Sequence, residues 1–105
     1  EKDFALIKSY FPSYKKMIFE ILHTLTVRIS KRNVSIKQLN FFNYDHEIQT
    51  KIIGLIYRFL MPNRDFLRYK KISDSLFKIT ENHDSKINLA GMNVKKDQFL
   101  INFSH

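Results

Sequence analysis

Two stretches decide how this chain is interpreted: Met61-Pro62-Asn63-Arg64-Asp65 and, further on, Ile87-Asn88-Leu89-Ala90-Gly91-Met92-Asn93-Val94. Proline disfavours a helical conformation for the residue before it, so a helix should end at Met61. Asn63 is a suitable N-cap for a following helix. In the second stretch, apolar and polar residues alternate on both sides of Gly91, which predicts two short strands joined by a tight turn. The chain therefore should change from helices to a small sheet between the two stretches.

Helical spacing of apolar residues continues upstream. One stripe over positions 14–29 predicts a long helix that begins near Pro12. A second stripe, capped by Asn43 or Asp45, predicts a helix that runs to the first quoted stretch. Between these helices, residues 34–42 partly alternate, and they are interpreted either as a short strand or as an extended connector.

The expected fold class is α+β, mainly α, in a single domain over residues 1–105. Antiparallel helices fill about residues 1–82, the last of them beginning at Asn63. A small antiparallel hairpin or sheet follows over about residues 86–103, with strands near 87–89, 92–94 and 99–103. The expected core consists of Ile18, Ile21, Leu22, Leu25, Ile52, Ile56, Phe59, Leu60, Leu76, Ile79, Leu89 and Ile101.

Composition restricts the function classes. The chain lacks Cys, which excludes disulfides, thiolate nucleophiles and Cys-based zinc sites. Its net charge of +8, from 18 Lys and Arg against 10 Asp and Glu, favours polyanionic partners such as nucleic acid or an anionic membrane surface. The abundance of Ile, Lys, Asn and Phe is also typical of AT-rich coding sequence, which raises Lys content by itself. Charge alone therefore leaves a nucleic-acid role open.

No apolar run reaches the length of a membrane span, so we expect a cytoplasmic protein without membrane contact. The chain begins with Glu1, and acids at its start are unlike a signal or transit peptide. We expect it to be a fragment of a longer protein or a processed product.

The sequence predicts no catalytic, cofactor-binding or metal site. The two glycines, Gly54 and Gly91, lie too far apart for a Gly-rich phosphate loop. The four histidines show no metal-ligand spacing, and the serines lack a neighbouring base with a positioned acid. Most carboxylates stand beside Lys or Arg, as on an ordinary solvated surface.

A basic cluster is the strongest candidate site. Arg64, Arg68, Lys70 and Lys71 fall near the start of the helix predicted from Asn63, and positions 64, 68 and 71 would share one helical face. Such a stripe, next to the positive end of a helix, could contact phosphates. The alternative interpretation is a solvated face, or an Arg64 that fixes local structure.

Two further sets are weaker candidates. Lys95 and Lys96 lie at a predicted hairpin tip, where a basic pair could reach a nucleic-acid backbone or serve only solubility. A looser basic strip on the predicted long helix consists of Lys15, Lys16, Arg28, Lys31 and Arg32. The aromatic residues that could stack on bases, or form core and interface instead, are Phe41, Phe42, Tyr44, Phe66 and Tyr69.

Over about residues 13–103 the chain resembles the substrate-binding domain that follows the catalytic domain in tRNA(Ile)-lysidine synthetases. The likeness rests on a capped helix carrying Ile52-Ile53, on Met-Pro-Asn-Arg-Asp at 61–65, and on Leu-Ala-Gly-Met-Asn-Val at 89–94 ahead of Phe99-Leu-Ile101. In that family a Pro-x-Arg segment begins the last helix, and a turn of the form leucine, small residue, glycine opens a small sheet. Arg64 matches the arginine at the head of that helix.

The resemblance implies a role for the chain. In the intact enzyme, ATP activates the wobble cytidine of an isoleucine tRNA and lysine is joined to it, with release of AMP and pyrophosphate. ATP and Mg would bind a separate domain that has a Ser-Gly-Gly-containing phosphate loop, a motif this chain lacks. The chain would hold the tRNA(Ile) while the other domain performs the chemistry, and the intact protein could form a homodimer.

Two other functions stay open. Winged-helix proteins also have helices followed by a hairpin. In that interpretation the helix after Asn63 would enter a groove of duplex DNA, and Lys95 and Lys96 would lie in the wing. The chain could also be a helical protein-interaction domain whose excess Lys comes from codon bias. Its exposed candidates would then be Phe41 and Phe42.

Overall fold

The computed structural model describes residues 16–81 and 85–105, which form four helices and a five-stranded sheet. The helices are α1 (16–25), α2 (Gln38–Phe42), α3 (His46–Leu60) and α4 (Tyr69–Glu81). The strands are β1 (Thr26–Ile29), β2 (Asn33–Lys37), β3 (Ser85–Leu89), β4 (Met92–Lys96) and β5 (Leu100–Ser104). All neighbouring strands are antiparallel, in the order β1-β2-β5-β4-β3.

The expected arrangement of antiparallel helices followed by a small C-terminal sheet is wrong. The predicted strands β3, β4 and β5 are present, but β5 also pairs along its whole length with β2, so that Ser35 lies opposite Asn102. The hairpin of β1 and β2 thereby extends the C-terminal sheet, and α2, α3 and α4 connect its two parts. The molecule is a compact α+β domain in which the sheet is as central as the helices.

The predicted long helix over positions 14–29 ends early. The chain leaves α1 after residue 25 and enters β1 at Thr26. The side-chain hydroxyls of Thr24 and Thr26 donate to the carbonyls of Glu20 and Leu22, at 2.9 and 2.6 Å. Such bonds and β-branched side chains both disfavour continued helix, whereas β-branching favours a strand. The predicted helix start near Pro12 lies outside the described residues.

The middle helix is confirmed and the last helix begins later than expected. The Asp45 carboxylate accepts a 2.9 Å bond from the backbone N–H of Ile48 and caps α3, which ends before Met61. α4 begins at Tyr69 rather than at Asn63. Its buried stripe is Ile72, Leu76 and Ile79. Leu67 stands five residues before that stripe, which is not a helical interval, so residues 62–68 gain no buried helical face.

The core lies between one face of the sheet and the helices. Nine of the twelve expected core residues are buried, while Ile21 and Leu22 are half-buried against the same cluster. Phe59 is 48 % exposed. The residues of α3 that are buried centre on Ile53 and Ile56, and Phe59 lies about 100° around the helix from the middle of that stripe. The residues that the sheet contributes to the core are Val34, Ile36, Leu89, Met92, Val94, Ile101 and Phe103.

Candidate nucleic-acid interface

The connection between α3 and α4 supplies two of the predicted cations. The backbone N–H of Arg64 donates to the Met61 carbonyl at 3.1 Å and closes a turn directly after α3. The Arg68 carbonyl accepts from the N–H groups of Lys71 and Ile72, at 3.1 and 3.3 Å, and thereby begins α4. Arg64 and Arg68 consequently project from a loop, and the predicted single helical face through positions 64, 68 and 71 is wrong.

The fold nevertheless brings the four cations together. Arg64, Arg68, Lys70 and Lys71 line one open groove of about 540 Å³, which we call the basic groove. Two acids, Asp65 and Asp74, also line it, so its ionisable side chains sum to a charge of +2 (four cations less two acids). The wall opposite the loop is formed by Tyr57 of α3 and Ala90 of the β3–β4 turn.

Arg64 lies against the β3–β4 turn. Ala90 and Gly91 both have positive φ, 50° and 97°, as the tight turn of a two-residue hairpin requires. A Cβ added to Gly91 would lie 3.6 Å from Nη2 of Arg64 and 3.0 Å from Cε of Met61. The Tyr57 hydroxyl donates to the Ala90 carbonyl at 3.1 Å and ties the same turn to α3. The arginine therefore helps to dock the loop on the hairpin and lies at the groove at the same time.

Aromatic side chains border the basic groove. Phe66 and Tyr69 are 70 % and 58 % exposed, and the guanidinium of Arg58 lies 4.2 Å from the centroid of the Phe66 ring. Among the other aromatic candidates, Phe41 is fully buried, and Phe42 and Tyr44 are half-buried against the core. Of these candidates, Phe66 lines the basic groove, where a base could stack beside the cations, whereas Tyr69 lies edge-on to His46.

Lys95 and Lys96 point in opposite directions because consecutive residues of a strand face opposite sides of the sheet. They are the last two residues of β4. Lys95 is exposed on the side of the sheet away from the helices. Lys96 is 4 % exposed on the helix-covered side, where its Nζ lies 5.5 Å from the centroid of the Phe42 ring. The structure therefore does not join these two lysines to the basic groove, or to each other, as a site.

The turn after β4 holds an acid firmly. The Asp97 carboxylate accepts from the N–H groups of Leu100 and Phe99, at 2.8 and 2.9 Å. These two backbone bonds, first that of Leu100 and then that of Phe99, hold the pKa of Asp97 below its usual 3.8, and the nearby charge of Lys95 lowers the pKa further. Asp97 is consequently a structural anion of the turn.

One side-chain pair was not predicted from the sequence. Nε2 of His46, at the start of α3, lies 2.8 Å from the Ser73 hydroxyl in α4. The imidazole also stacks on Phe77, with ring centroids 5.6 Å apart, and meets the edge of Tyr69 at 6.2 Å. The contact joins two helices that are distant in sequence, so no local spacing could have indicated it. No carboxylate among the described residues hydrogen-bonds to this pair. We therefore interpret the His46–Ser73 pair as a contact between two helices.

Within residues 16–81 and 85–105, no group of three or more His, Asp or Glu side chains could hold a metal ion. No helix of that described part is long and apolar enough to cross a bilayer.

Comparison with known proteins gives no relative: no family model, no curated protein and no solved structure matches this chain. Membership of the lysidine synthetase family therefore stays a prediction from the quoted motifs.

Proposed function

We propose that this chain is an RNA-binding domain that docks a tRNA through the basic groove. Following the sequence resemblance, the RNA would be tRNA(Ile), and the domain would position the anticodon wobble cytidine for the ligase domain of a tRNA(Ile)-lysidine synthetase. The observation that carries the proposal is the convergence of Arg64, Arg68, Lys70 and Lys71 on one groove from two different elements.

The chemistry of these groups suits phosphate. Arginine offers a planar fork of donors that matches two phosphate oxygens, and lysine offers a compact charge. The first turn of α4 has no acidic residue, so the partial positive charge of the helix N-terminus adds to that of Arg68 and Lys70. The exposed ring of Phe66 would support an unpaired base next to the phosphates.

In this proposal the described residues bind and orient the RNA. ATP, Mg and lysine would be handled by a catalytic domain that these 105 residues do not contain. A cytoplasmic location and a homodimer through the intact protein belong to the same proposal.

The test is binding of the purified chain to tRNA(Ile) with a CAU anticodon, measured by fluorescence anisotropy across a salt series. An unrelated tRNA and a DNA duplex serve as competitors. We expect the affinity for tRNA to exceed that for the duplex, and log K to fall linearly with log salt concentration, because bound phosphates release counterions. No binding to any RNA would overturn the proposal and would favour a protein-interaction domain.

Variants locate the site. Arg68→Gln with Lys71→Gln should weaken tRNA binding about tenfold and should lower the salt slope by about 1.4 to 1.8, the equivalent of two phosphates. The matched control is Lys16→Gln with Lys31→Gln, which removes the same charge from exposed positions in α1 and in the β1–β2 turn. Equal effects of the two double variants would show that only net charge matters.

The winged-helix alternative makes a different prediction in the same experiment. It requires α4 to enter a duplex groove, although Asp74 of that helix lines the basic groove. A preference for the DNA duplex over both tRNAs would favour it over the tRNA-binding proposal.

A further inference from the structure

The side of the sheet that faces away from the helices is mostly polar, with Leu100 of β5 as an apolar residue on it, and we call it the open face. Strand register places Arg28 opposite Ser35, Ser35 opposite Asn102, Asn102 opposite Lys95, and Lys95 opposite Lys86. These five residues form one row across all five strands. With strands about 4.8 Å apart, the row spans about 19 Å. The neighbouring row consists of Asn33, Ser104, Asn93 and Asn88.

The charges on the strands have one sign. The five strands contain Arg28 and four lysines, and they contain neither Asp nor Glu. Lys86 and Lys95 are exposed and lie directly opposite each other on the open face. Like charges in that position destabilise a sheet, so this pair does not stabilise the fold. A bound anion would convert the repulsion into attraction.

The nearest acid does not neutralise the row. Asp97 lies in the turn after β4, where its carboxylate is engaged by the N–H groups of Phe99 and Leu100. It contributes one negative charge beside Lys95 and Asn102, so the three cations and this acid sum to a charge of +2 (three less one). The positive charges of Lys86 and Arg28, at the two ends of the row, belong to the edge strands β3 and β1.

The middle of the row carries hydrogen-bonding groups rather than charge. The buried Ser35 hydroxyl donates to the Asn102 side-chain carbonyl at 2.6 Å, and the Asn102 side chain also hydrogen-bonds to Asp97, which helps to lower the pKa of that carboxyl. No strand residue on the open face is aromatic, because Phe103, the aromatic residue of the strands, is buried on the other side. A surface of this kind cannot stack bases, but it can bind phosphates and ribose hydroxyls.

We propose that the open face is a second RNA contact, which binds the sugar-phosphate backbone through Lys86, Lys95 and Arg28. This inference rests on the proposed RNA-binding function and extends it to a surface separate from the basic groove. Three residues of β3 lie between Lys86 and Ala90 at the groove, so the two are four residue steps, about 13 Å, apart. An RNA on both surfaces would therefore have to extend around one end of the β3–β4 hairpin.

The test compares three double variants in the anisotropy assay, each of which removes two positive charges. Lys86→Gln with Lys95→Gln alters the open face, Arg68→Gln with Lys71→Gln alters the basic groove, and Lys16→Gln with Lys31→Gln is the charge-matched control. We expect the open-face variant to weaken binding about tenfold, equally for tRNA(Ile) and an unrelated tRNA, because backbone contacts do not read sequence. The salt slope should fall by about 1.4 to 1.8.

The melting temperature of the open-face variant separates binding from folding. It should stay unchanged or rise, because the substitution removes the repulsion between the paired lysines. A second readout is an NMR titration of the wild-type chain with the same tRNA, in which backbone amides of β4 and β5 should shift.

The outcomes separate the two proposals. An open-face variant that binds as the control does, while the groove variant is weakened, overturns this inference and leaves the proposed function intact. A wild-type chain that binds no RNA overturns both. Binding to vesicles that contain phosphatidylserine, lost in the open-face variant and without any RNA binding, would overturn the inference in favour of an anionic membrane surface.

Discussion

The basic groove gathers its cations from a loop and the first turn of a helix, whereas the row on the open face obtains them from strands β1, β3 and β4 in fixed register. In the groove, four cations share the lining with Asp65 and Asp74, and the exposed ring of Phe66 stands beside them. On the open face the strands carry no acid, and amides and hydroxyls fill the space between the charges. The groove is suited to a local feature such as an unpaired nucleotide, and the face to a length of backbone. Both depend on how firmly the elements beneath them are held.

The core beneath the open face should give the largest effect. Phe103 is fully buried in β5, between Val34 and Val94 of the neighbouring strands. Its replacement by Ala should lower the free energy of unfolding by about 3–5 kcal/mol, because it removes a large side chain and leaves a cavity. Urea denaturation would measure this. The control is Phe99→Ala, at a position 69 % exposed, which should stay within about 0.5 kcal/mol of wild type. Similar losses in both variants would contradict the assigned strand register.

A change in the β3–β4 turn should give the next largest effect. Gly91→Ala imposes a side chain on a residue with φ of 97° and crowds Met61, so we expect a loss of about 1–3 kcal/mol. Because Arg64 lies against this turn, tRNA binding should weaken as well.

The other glycine of the chain provides the control for that turn. In α3, a Cβ on Gly54 would meet only ordinary contact with Ile72, at 3.8 Å. Gly54→Ala should therefore stabilise the helix by about 0.5–1 kcal/mol. Thermal melting of both variants would show the opposite signs, and a Gly91→Ala protein as stable as wild type would refute the assigned turn.

The support of the groove by α3 can be tested at the His46–Ser73 contact. Ser73→Ala removes the 2.8 Å bond and should cost about 0.5–1.5 kcal/mol, because the imidazole nitrogen loses its partner between two helices. Ser75→Ala is the matched control: its hydroxyl bonds only to the Lys71 carbonyl within α4 and is expected to contribute little. A larger loss at Ser75 than at Ser73 would show that this contact does not hold the helices together.

The smallest expected effect concerns pH and the acid at the border of the open face. The pKa of Asp97 is lowered in the folded state, so the stability it contributes is present above pH about 3.8 and is lost as pH falls through the folded pKa. Asp97→Asn should flatten the acid limb of a plot of stability against pH. Lys95→Gln should raise the pKa of Asp97 slightly, since the lysine charge is one cause of its depression. NMR titration of the Asp97 carboxylate would measure this shift. If stability falls with pH equally steeply in Asp97→Asn and in wild type, the contribution assigned to Asp97 is contradicted.

Local signals predicted a large part of the fold. Helix α3, its Asp45 cap, and the three C-terminal strands with their Gly91 turn follow from spacing and turn chemistry that act within a few residues. The start of α4 was misplaced because Asn63 and Pro62 mark a turn as readily as a helix cap. The five-residue interval from Leu67 to Ile72 was the available sign that no helical stripe had begun.

The grouping of the basic residues was predicted in part, and their role in binding stays a prediction. Arg64, Arg68, Lys70 and Lys71 do meet, but through a loop closed on the β3–β4 turn rather than through one helical face. The separation of Lys95 from Lys96 follows from strand alternation and could have been expected from the predicted strand itself.

The sequence by itself determined the alternation in β3, β4 and β5, the extent of α3 and the positive charge of the chain. Only the tertiary structure decided that β2 pairs with β5, which joins Ser35 to Asn102 across 67 residues. The stretch Thr26–Ile29 continues a helical stripe and is also rich in β-branched residues, so its local preferences conflict. A neighbouring strand settles such a conflict, because backbone hydrogen bonds and a buried face become available only when a distant segment supplies them. The open face exists for the same reason, because its row of residues forms only when these distant strands pair.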